Sequence, residues 1–186
     1  MEIKNLTKSF GNKQIFEGFN LSIPDGKISF IMGESGCGKT TLMRIIAGLE
    51  QDFSGEIIKN SEFISCVFQE PRLFPALTVK QNLEIVSKGT SLSLEEILHI
   101  VELTGEENSY PDSLSGGMKM RLSLARALFY NGDIFLMDEP FSALDENMKE
   151  RVIPRVFSLL NGKTVIIISH DKDEAEKYSN NIITLK

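Results

Sequence analysis

The sequence contains only two cysteines, Cys37 and Cys66, with no CxxC spacing. That fits a reducing cytosol better than a disulfide framework. Long apolar runs are also missing: the most apolar stretches, Ile134–Met137 and Val165–Ile168, fall far short of the roughly 20 residues needed to cross a bilayer. The protein is therefore expected to be soluble or peripheral. Met1–Phe10 shows no basic start followed by an apolar stretch, so no export signal is expected. Nor is there a surplus of positive charge. Twenty basic and 26 acidic residues give a formal charge of −6, which is no general footprint for nucleic acid, and no nucleic-acid partner is expected. Repeats, low-complexity tracts and long linkers are absent. What is present is a chain of 186 residues, 41% hydrophobic and 25% charged. Those values are ordinary for a globular protein and sufficient for one domain without staples.

Short β-like runs come first, at Glu2–Leu6, Ile15–Ile23 and Lys27–Met32, separated by Asn12 and Pro24-Asp25-Gly26 and closed by Gly33. After Gly38 the apolar spacing turns helical, with Leu42, Ile45, Ile46 and Leu49 on one face. Ser54–Phe68 reads as further β structure. Pro71 to Asp112 reads as a helical insertion, with Leu94, Ile97, Leu98 and Val101 on the apolar side of an amphipathic segment. A second helix is expected from about Ser115, carrying Met118, Leu122, Ala125 and Phe129 on one face. Two continuous apolar strands, Ile134–Met137 and Thr164–Ser169, flank a helix at about Glu146–Leu160, and Asn181–Leu185 reads as a last strand. Apolar strands alternating with helices predict an α/β fold whose sheet is mostly parallel and covered on both faces.

Gly33-Glu34-Ser35-Gly36-Cys37-Gly38-Lys39-Thr40 fits G-x-x-x-x-G-K-[ST] between a strand and a helix. Its glycines let backbone N–H groups converge on a phosphate, the helix adds its positive end, and Lys39 supplies charge to the outer phosphates. Thr40 is the expected Mg²⁺ ligand. The loop alone leaves kinases, GTPases and ATPases open. A second element narrows the choice: the apolar strand Ile134–Met137 runs into Asp138 and Glu139. Two carboxylates at that point belong at the carboxyl end of the sheet, where open α/β folds bind ligands. Asp138 is expected to hold Mg²⁺, and Glu139 to act as general base on the attacking water.

Leu114-Ser115-Gly116-Gly117-Met118 makes a second anion-binding helix start, again with free N–H groups. One lysine loop does not need two triphosphate sites. The economical arrangement is a head-to-tail pair of chains, in which Ser115, Gly116 and Gly117 of one close over the γ-phosphate held by the other.

With these motifs in order, from Leu6-Thr7-Lys8-Ser9-Phe10-Gly11 to Ser169-His170-Asp171, nearly the whole chain resembles an ATP-binding subunit of an ABC transporter. The resemblance implies a P-loop NTPase cassette with a mostly parallel central sheet, an antiparallel β subdomain and a small helical insertion. It implies one ABC ATPase domain over 1–186, with a RecA-like core and β subdomain at about 1–70 and 113–186 and a helical subdomain at about 71–130. It implies a nucleotide-binding set running from Gly33 through Thr40 to Thr41, with Phe10 stacked on adenine. Gln69 would touch Mg²⁺ or the attacking water, Ser142-Ala143-Leu144-Asp145 would form the dimer-contact loop, and His170 would contact the γ-phosphate.

The resemblance further implies the cofactors ATP and Mg²⁺ and a place on the cytoplasmic face of the membrane. Its partners would be an integral permease subunit, a second copy or homologous ATPase, and a solute-binding protein acting through the permease. Phe68–Pro75 with Leu77-Thr78-Val79 is most similar to the nitrate, sulfonate and taurine importer group. Soluble ABC ATPases of translation, repair or cofactor assembly are the alternative, and a small P-loop kinase a weaker one. Phe74, Pro75 and Leu77 either form an exposed apolar patch for the permease or pack within the helical lobe. Two positions depart from the pattern: Cys37 takes a place often held by serine, and Met120 one usually held by glutamine, so a polar contact there is expected to be lost or replaced. His99 is expected to be a partly exposed helix residue without a role in the chemistry.

Overall fold

The computed structural model describes residues 1–87 and 91–185. Its centre is a five-stranded parallel sheet of order β5-β6-β7-β3-β8, formed by β3 (Ile28–Met32), β5 (Ile64–Val67), β6 (Ile134–Asp138), β7 (Thr164–Ile168) and β8 (Asn181–Thr184). Beside it lies an antiparallel sheet of order β2-β1-β4, from β1 (Glu2–Phe10), β2 (Lys13–Ser22) and β4 (Ser54–Ile58). The helices are α1 (Lys39–Ile46), α2 (Val79–Glu84), α3 (Leu94–Ile100), α4 (Gly116–Tyr130), α5 (Glu146–Leu159) and α6 (Lys172–Tyr178).

Strand alternation divides the core. Phe135 and Met137 of β6 face a cluster with Leu122, Val152 and Val156 of α4 and α5. Ile134 and Leu136 face the opposite cluster, with Leu42 and Ile46 of α1 and Ile3 and Leu6 of β1. All five β6 residues are buried, as expected of a strand covered on both sides, and each large apolar side chain contributes about 1.5–3 kcal/mol.

Several details differ from the sequence reading. Ser54–Phe68 divides between the two sheets, β4 pairing antiparallel with β1 and β5 pairing parallel with β6. Leu49 is 54% exposed, off the core face, because α1 ends at Ile46 and Gly48 turns the chain at φ +73°. Helix α4 is buried on more than one face, since Met120, Leu124, Ala127 and Leu128 are covered as well as Leu122, Ala125 and Phe129. It packs between β5 on one side and α2 and α3 on the other. Met120, 4% exposed, therefore joins the core, and apolar packing replaces the polar contact. Helix α6 was not expected at all. His99 is exposed on α3, as anticipated.

One joint ties the helical lobe to the core. Glu102, just past α3 and in the left-handed region at φ +54°, receives a bidentate contact from Arg151 of α5 at 2.6 and 2.9 Å. Its backbone carbonyl is held by the guanidinium of Arg121 of α4, which also donates to the carbonyl of Val101 at 2.9 Å. Arg151 holds the Glu102 carboxyl below its ordinary range, with burial opposing it.

Candidate functional site

The parallel register sets the chemistry. Val67 pairs with Met137, Asp138 with Ile168, and Ile168 with Ile31. The carboxyl ends of β5, β6, β7 and β3 therefore share one edge, and Gln69, Asp138-Glu139, His170 and Gly33 all follow there.

Between β3 and α1 the phosphate loop bends through Gly33, Gly36 and Gly38 at φ +155°, +83° and +104°. A Cβ on Gly38 would lie 2.7 Å from Ile15 Cγ2 and 2.8 Å from Phe16 Cζ of β2, so the loop rests directly on the antiparallel sheet. The Lys39 ammonium is buried and donates to the carbonyls of Gly33 and Glu34, both at 2.8 Å. Thr40 Oγ1 donates to Asp138 Oδ2 at 2.7 Å. Asp138 is 3% exposed, with the Thr40 hydroxyl against its carboxylate. A hydroxyl against a buried carboxylate is a hard-oxygen set suited to Mg²⁺. Thr40 and Asp138 fit that ion, and Gln69, exposed beyond β5, lies along the same edge.

Glu139 leaves β6 in the left-handed region, at φ +51°. Two bonds hold it there: its N–H donates to Ile168 O at 2.9 Å, and its carbonyl accepts from Ser142 Oγ at 2.9 Å. The carboxylate is mostly covered, and Oε1 has no hydrogen-bond partner. His170 Nε2, on an exposed side chain, lies 3.6 Å from Oε1. Burial raises the Glu139 pKa, with Asp138 adding to the rise and His170 opposing it. A mostly covered carboxylate of raised pKa, with one oxygen free of hydrogen bonds at the sheet edge, is suited to accepting a proton from water.

Phe10 is 49% exposed, not a core aromatic. It lines a cavity of about 290 Å³ together with Gly36, Gly38, Lys39, Thr40 and Thr41, so the structure brings the expected base platform to the phosphate loop. Ser115 caps α4, its hydroxyl accepting from Met118 N at 3.2 Å, while Ser115 and Gly116 are exposed. Gly117 packs on the carbonyl of Ala143, which would lie 3.0 Å from any added Cβ. The helix start at Ser115–Gly117 and the Ser142–Asp145 loop are thus neighbours.

Phe74 and Pro75 are exposed and Leu77 is half-buried. Asn82, fully buried, presents them: its Oδ1 accepts from Phe74 N at 3.0 Å, and its Nδ2 donates to the carbonyls of Phe74, Leu77 and Thr78 at 2.9–3.0 Å. Sequence reasoning missed Asn82. Its signal was an amide on the Val79 and Leu83 face of α2, directly after the Thr78-x-x-Gln81 capping box. The Arg126 guanidinium lies 4.8 Å from the Phe74 ring.

The two thiols differ. Cys37 is half-buried in the phosphate loop, its Sγ 4.0 Å from the Lys39 ammonium. Burial pushes Cys66 up to about 11. A maleimide is therefore expected to label Cys37 ahead of Cys66, and saturating Mg-ATP to slow that labelling at least about tenfold by covering the loop. Peptide mass spectrometry of timed samples reads both effects; equal rates with and without nucleotide would contradict the placement.

The profile of the ABC transporter family matches residues 16–142. The chain is 40% identical to the aliphatic sulfonates import ATP-binding protein SsuB of Bacillus cereus, covering 98% of this chain and 78% of that protein. It is 37% identical to the Fe(3+) ions import ATP-binding protein FbpC 2 of Haemophilus influenzae, over its full length and 59% of that protein. It also superposes on the ATP-binding cassette MJ0796, solved as a dimeric post-hydrolysis state bound to ADP and Pi. The TM-score is 0.85 at 33% identity, with 100% of this chain and 94% of that one covered.

Proposed function

The chain belongs to the ABC transporter family, and from that premise we propose that it is the ATP-binding and ATP-hydrolysing subunit of an importer, working as a head-to-tail pair around two Mg-ATP molecules. One observation carries the reading: the edge that holds the phosphate loop, the Thr40–Asp138 pair and Glu139 is matched by a second, exposed anion-binding helix start, seated through Gly117 on the dimer-contact loop. Each chain then supplies half of each site.

In this reading Lys39 and the loop N–H groups bind the β- and γ-phosphates, and Phe10 stacks on the base. Mg²⁺, held by Thr40 and Asp138 with Gln69, supplies charge neutralisation at the phosphates when bound. Glu139 Oε1 orients the attacking water and takes its proton, and His170 fixes the geometry from the neighbouring strand end. Ser115, Gly116 and Gly117 of the second chain complete the cradle. Positioning and electrostatics, more than covalent chemistry, lower the barrier.

The domain reading is likewise a proposal: one ABC ATPase unit over 1–186, with the helical subdomain at about 71–130. No described helix is long and apolar enough to cross a membrane. We assign the outward-facing Phe74 and Pro75 to a permease subunit at the cytoplasmic face. The relatives named for importing aliphatic sulfonates and Fe(3+) support import. They differ in solute, as expected if the permease and any solute-binding protein select it.

A mixing experiment tests the pairing. Lys39→Ala removes one half-site and Ser115→Arg the other. Each alone is expected to hydrolyse ATP poorly. An equimolar mixture should recover up to about a quarter of wild-type turnover, because a mixed pair contains one intact site. No recovery, together with a one-chain mass in Mg-ATP by light scattering, would refute the pairing.

A further inference from the structure

Lys8 is the most deeply buried lysine of the antiparallel sheet, 2% exposed. Its ammonium donates to Glu50 Oε1 at 3.0 Å, to Asp52 Oδ2 at 3.1 Å and to the backbone carbonyl of Asp52 at 2.5 Å. Glu50 and Asp52 follow the turn that ends α1, the helix whose first residue is Lys39. The same ammonium lies over the Phe10 ring, 4.4 Å from its centroid. Positions 8 and 10 share a strand face by the two-residue period. The register of β1 against β2 is irregular at Leu6/Lys8 and Lys8/Ser9, and the contact of ammonium and ring spans that irregularity. Phe10 nevertheless remains half exposed beside the phosphate loop.

We infer that Lys8 is a positioning residue for the nucleobase: it backs one face of the Phe10 ring, fixes the ring to the far end of α1, and leaves the other face to the base. The inference rests on the reading of Phe10 as the base platform. Two physical effects combine. A cation over one ring face holds the ring's orientation by attraction to its π electrons. It also draws electron density towards itself, which reduces repulsion between the opposite face and an electron-rich base. Through Glu50 and Asp52 the platform is fastened to the helix that carries the phosphate lysine, so base and phosphates are presented in register.

Calorimetry on the full chain with Mg²⁺ and either ATP or inorganic tripolyphosphate separates base from phosphate binding. Lys8→Met is expected to weaken ATP binding about three- to tenfold and to leave tripolyphosphate unchanged. Lys8→Arg should restore ATP affinity, and in a Phe10→Ala background Lys8→Met should have no further effect. Equal weakening of both ligands, or an undiminished effect in the Phe10→Ala background, would overturn the inference. If Phe10→Ala weakens ATP and Lys8→Met does not, only the inference falls. If Phe10→Ala itself binds ATP as the parent does, the platform reading falls and the inference with it. Should Lys8→Met melt below the assay temperature, Lys8→Gln, which keeps a donor for Asp52 and loses the charge, carries the same comparison.

Discussion

Glu139→Gln is expected to bind Mg-ATP with nearly the parent affinity while losing turnover by about a hundred- to ten-thousandfold, the contribution usual for a positioned general base. Glutamine keeps the shape of the side chain and removes the proton acceptor. The backbone supports at Ile168 O and Ser142 Oγ are independent of the side chain and should persist. Single-turnover hydrolysis measures the chemical step, and gel filtration with Mg-ATP should reveal an accumulated two-chain species holding unhydrolysed nucleotide. Turnover within a few-fold of the parent would remove Glu139 from the role of base.

The raised pKa of Glu139 adds a pH dependence. The base must be ionised, so activity is lost as pH falls through a value above the ordinary carboxylate range, with burial the main cause. The stability sign runs the other way. A carboxyl that binds its proton more tightly when folded favours the fold below its unfolded pKa. That advantage is lost as pH rises through the folded pKa. At neutral pH the charged side chain is thus a burden, and Glu139→Gln should melt at a temperature no lower than the parent.

Lys39→Ala is expected to weaken Mg-ATP binding about a hundredfold or more, the scale of losing charge-assisted bonds to phosphate. The ammonium also donates to the Gly33 and Glu34 carbonyls, so part of the loss comes from a loop no longer gathered around it. Lys39→Arg separates the contributions. It retains charge, but its planar fork does not match a point-charge position, and it should recover folding stability more than affinity. Isothermal titration with Mg-ATP, alongside thermal melting, reads both. Affinity within about threefold of the parent for Lys39→Ala would contradict the phosphate role.

Motifs whose function lies in backbone geometry were legible in the sequence. Gly33, Gly36 and Gly38 announce a loop with positive backbone φ angles, and each has one. An apolar run ending in Asp138-Glu139 announces a buried strand whose end carries charge, and β6 is that strand. The features that escaped depend on what the rest of the chain brings near. Helix α6 spans seven residues, Lys172–Tyr178, too few to show a period, and is held by the Asp171 cap and by Lys149, which reaches Asp171 and Glu174 at 2.9 and 3.0 Å. Sequence alone cannot tell that a β-like stretch changes sheets between Ile58 and Ile64. The burial of α4 on several sides arises from β5 on one side and from α2 and α3 of the preceding insertion on the other, a packing that the helix's own sequence does not show. Glu102 and Asn82 are single polar residues whose partners lie far along the chain or in the bends of a loop.

The contact of Gly38 with Ile15 and Phe16 makes the site a gauge. Phe10 ends β1 of the antiparallel sheet and Lys39 opens α1 just after β3 of the parallel sheet, and the missing side chain at position 38 lets the loop between β3 and α1 close directly onto Ile15 and Phe16 of β2. The span between the base platform and the phosphate cradle is therefore set by incompressible packing, not by a flexible connection. A side chain at position 38 would have to push Ile15 and Phe16 aside, and is expected to shift Phe10 relative to Lys39.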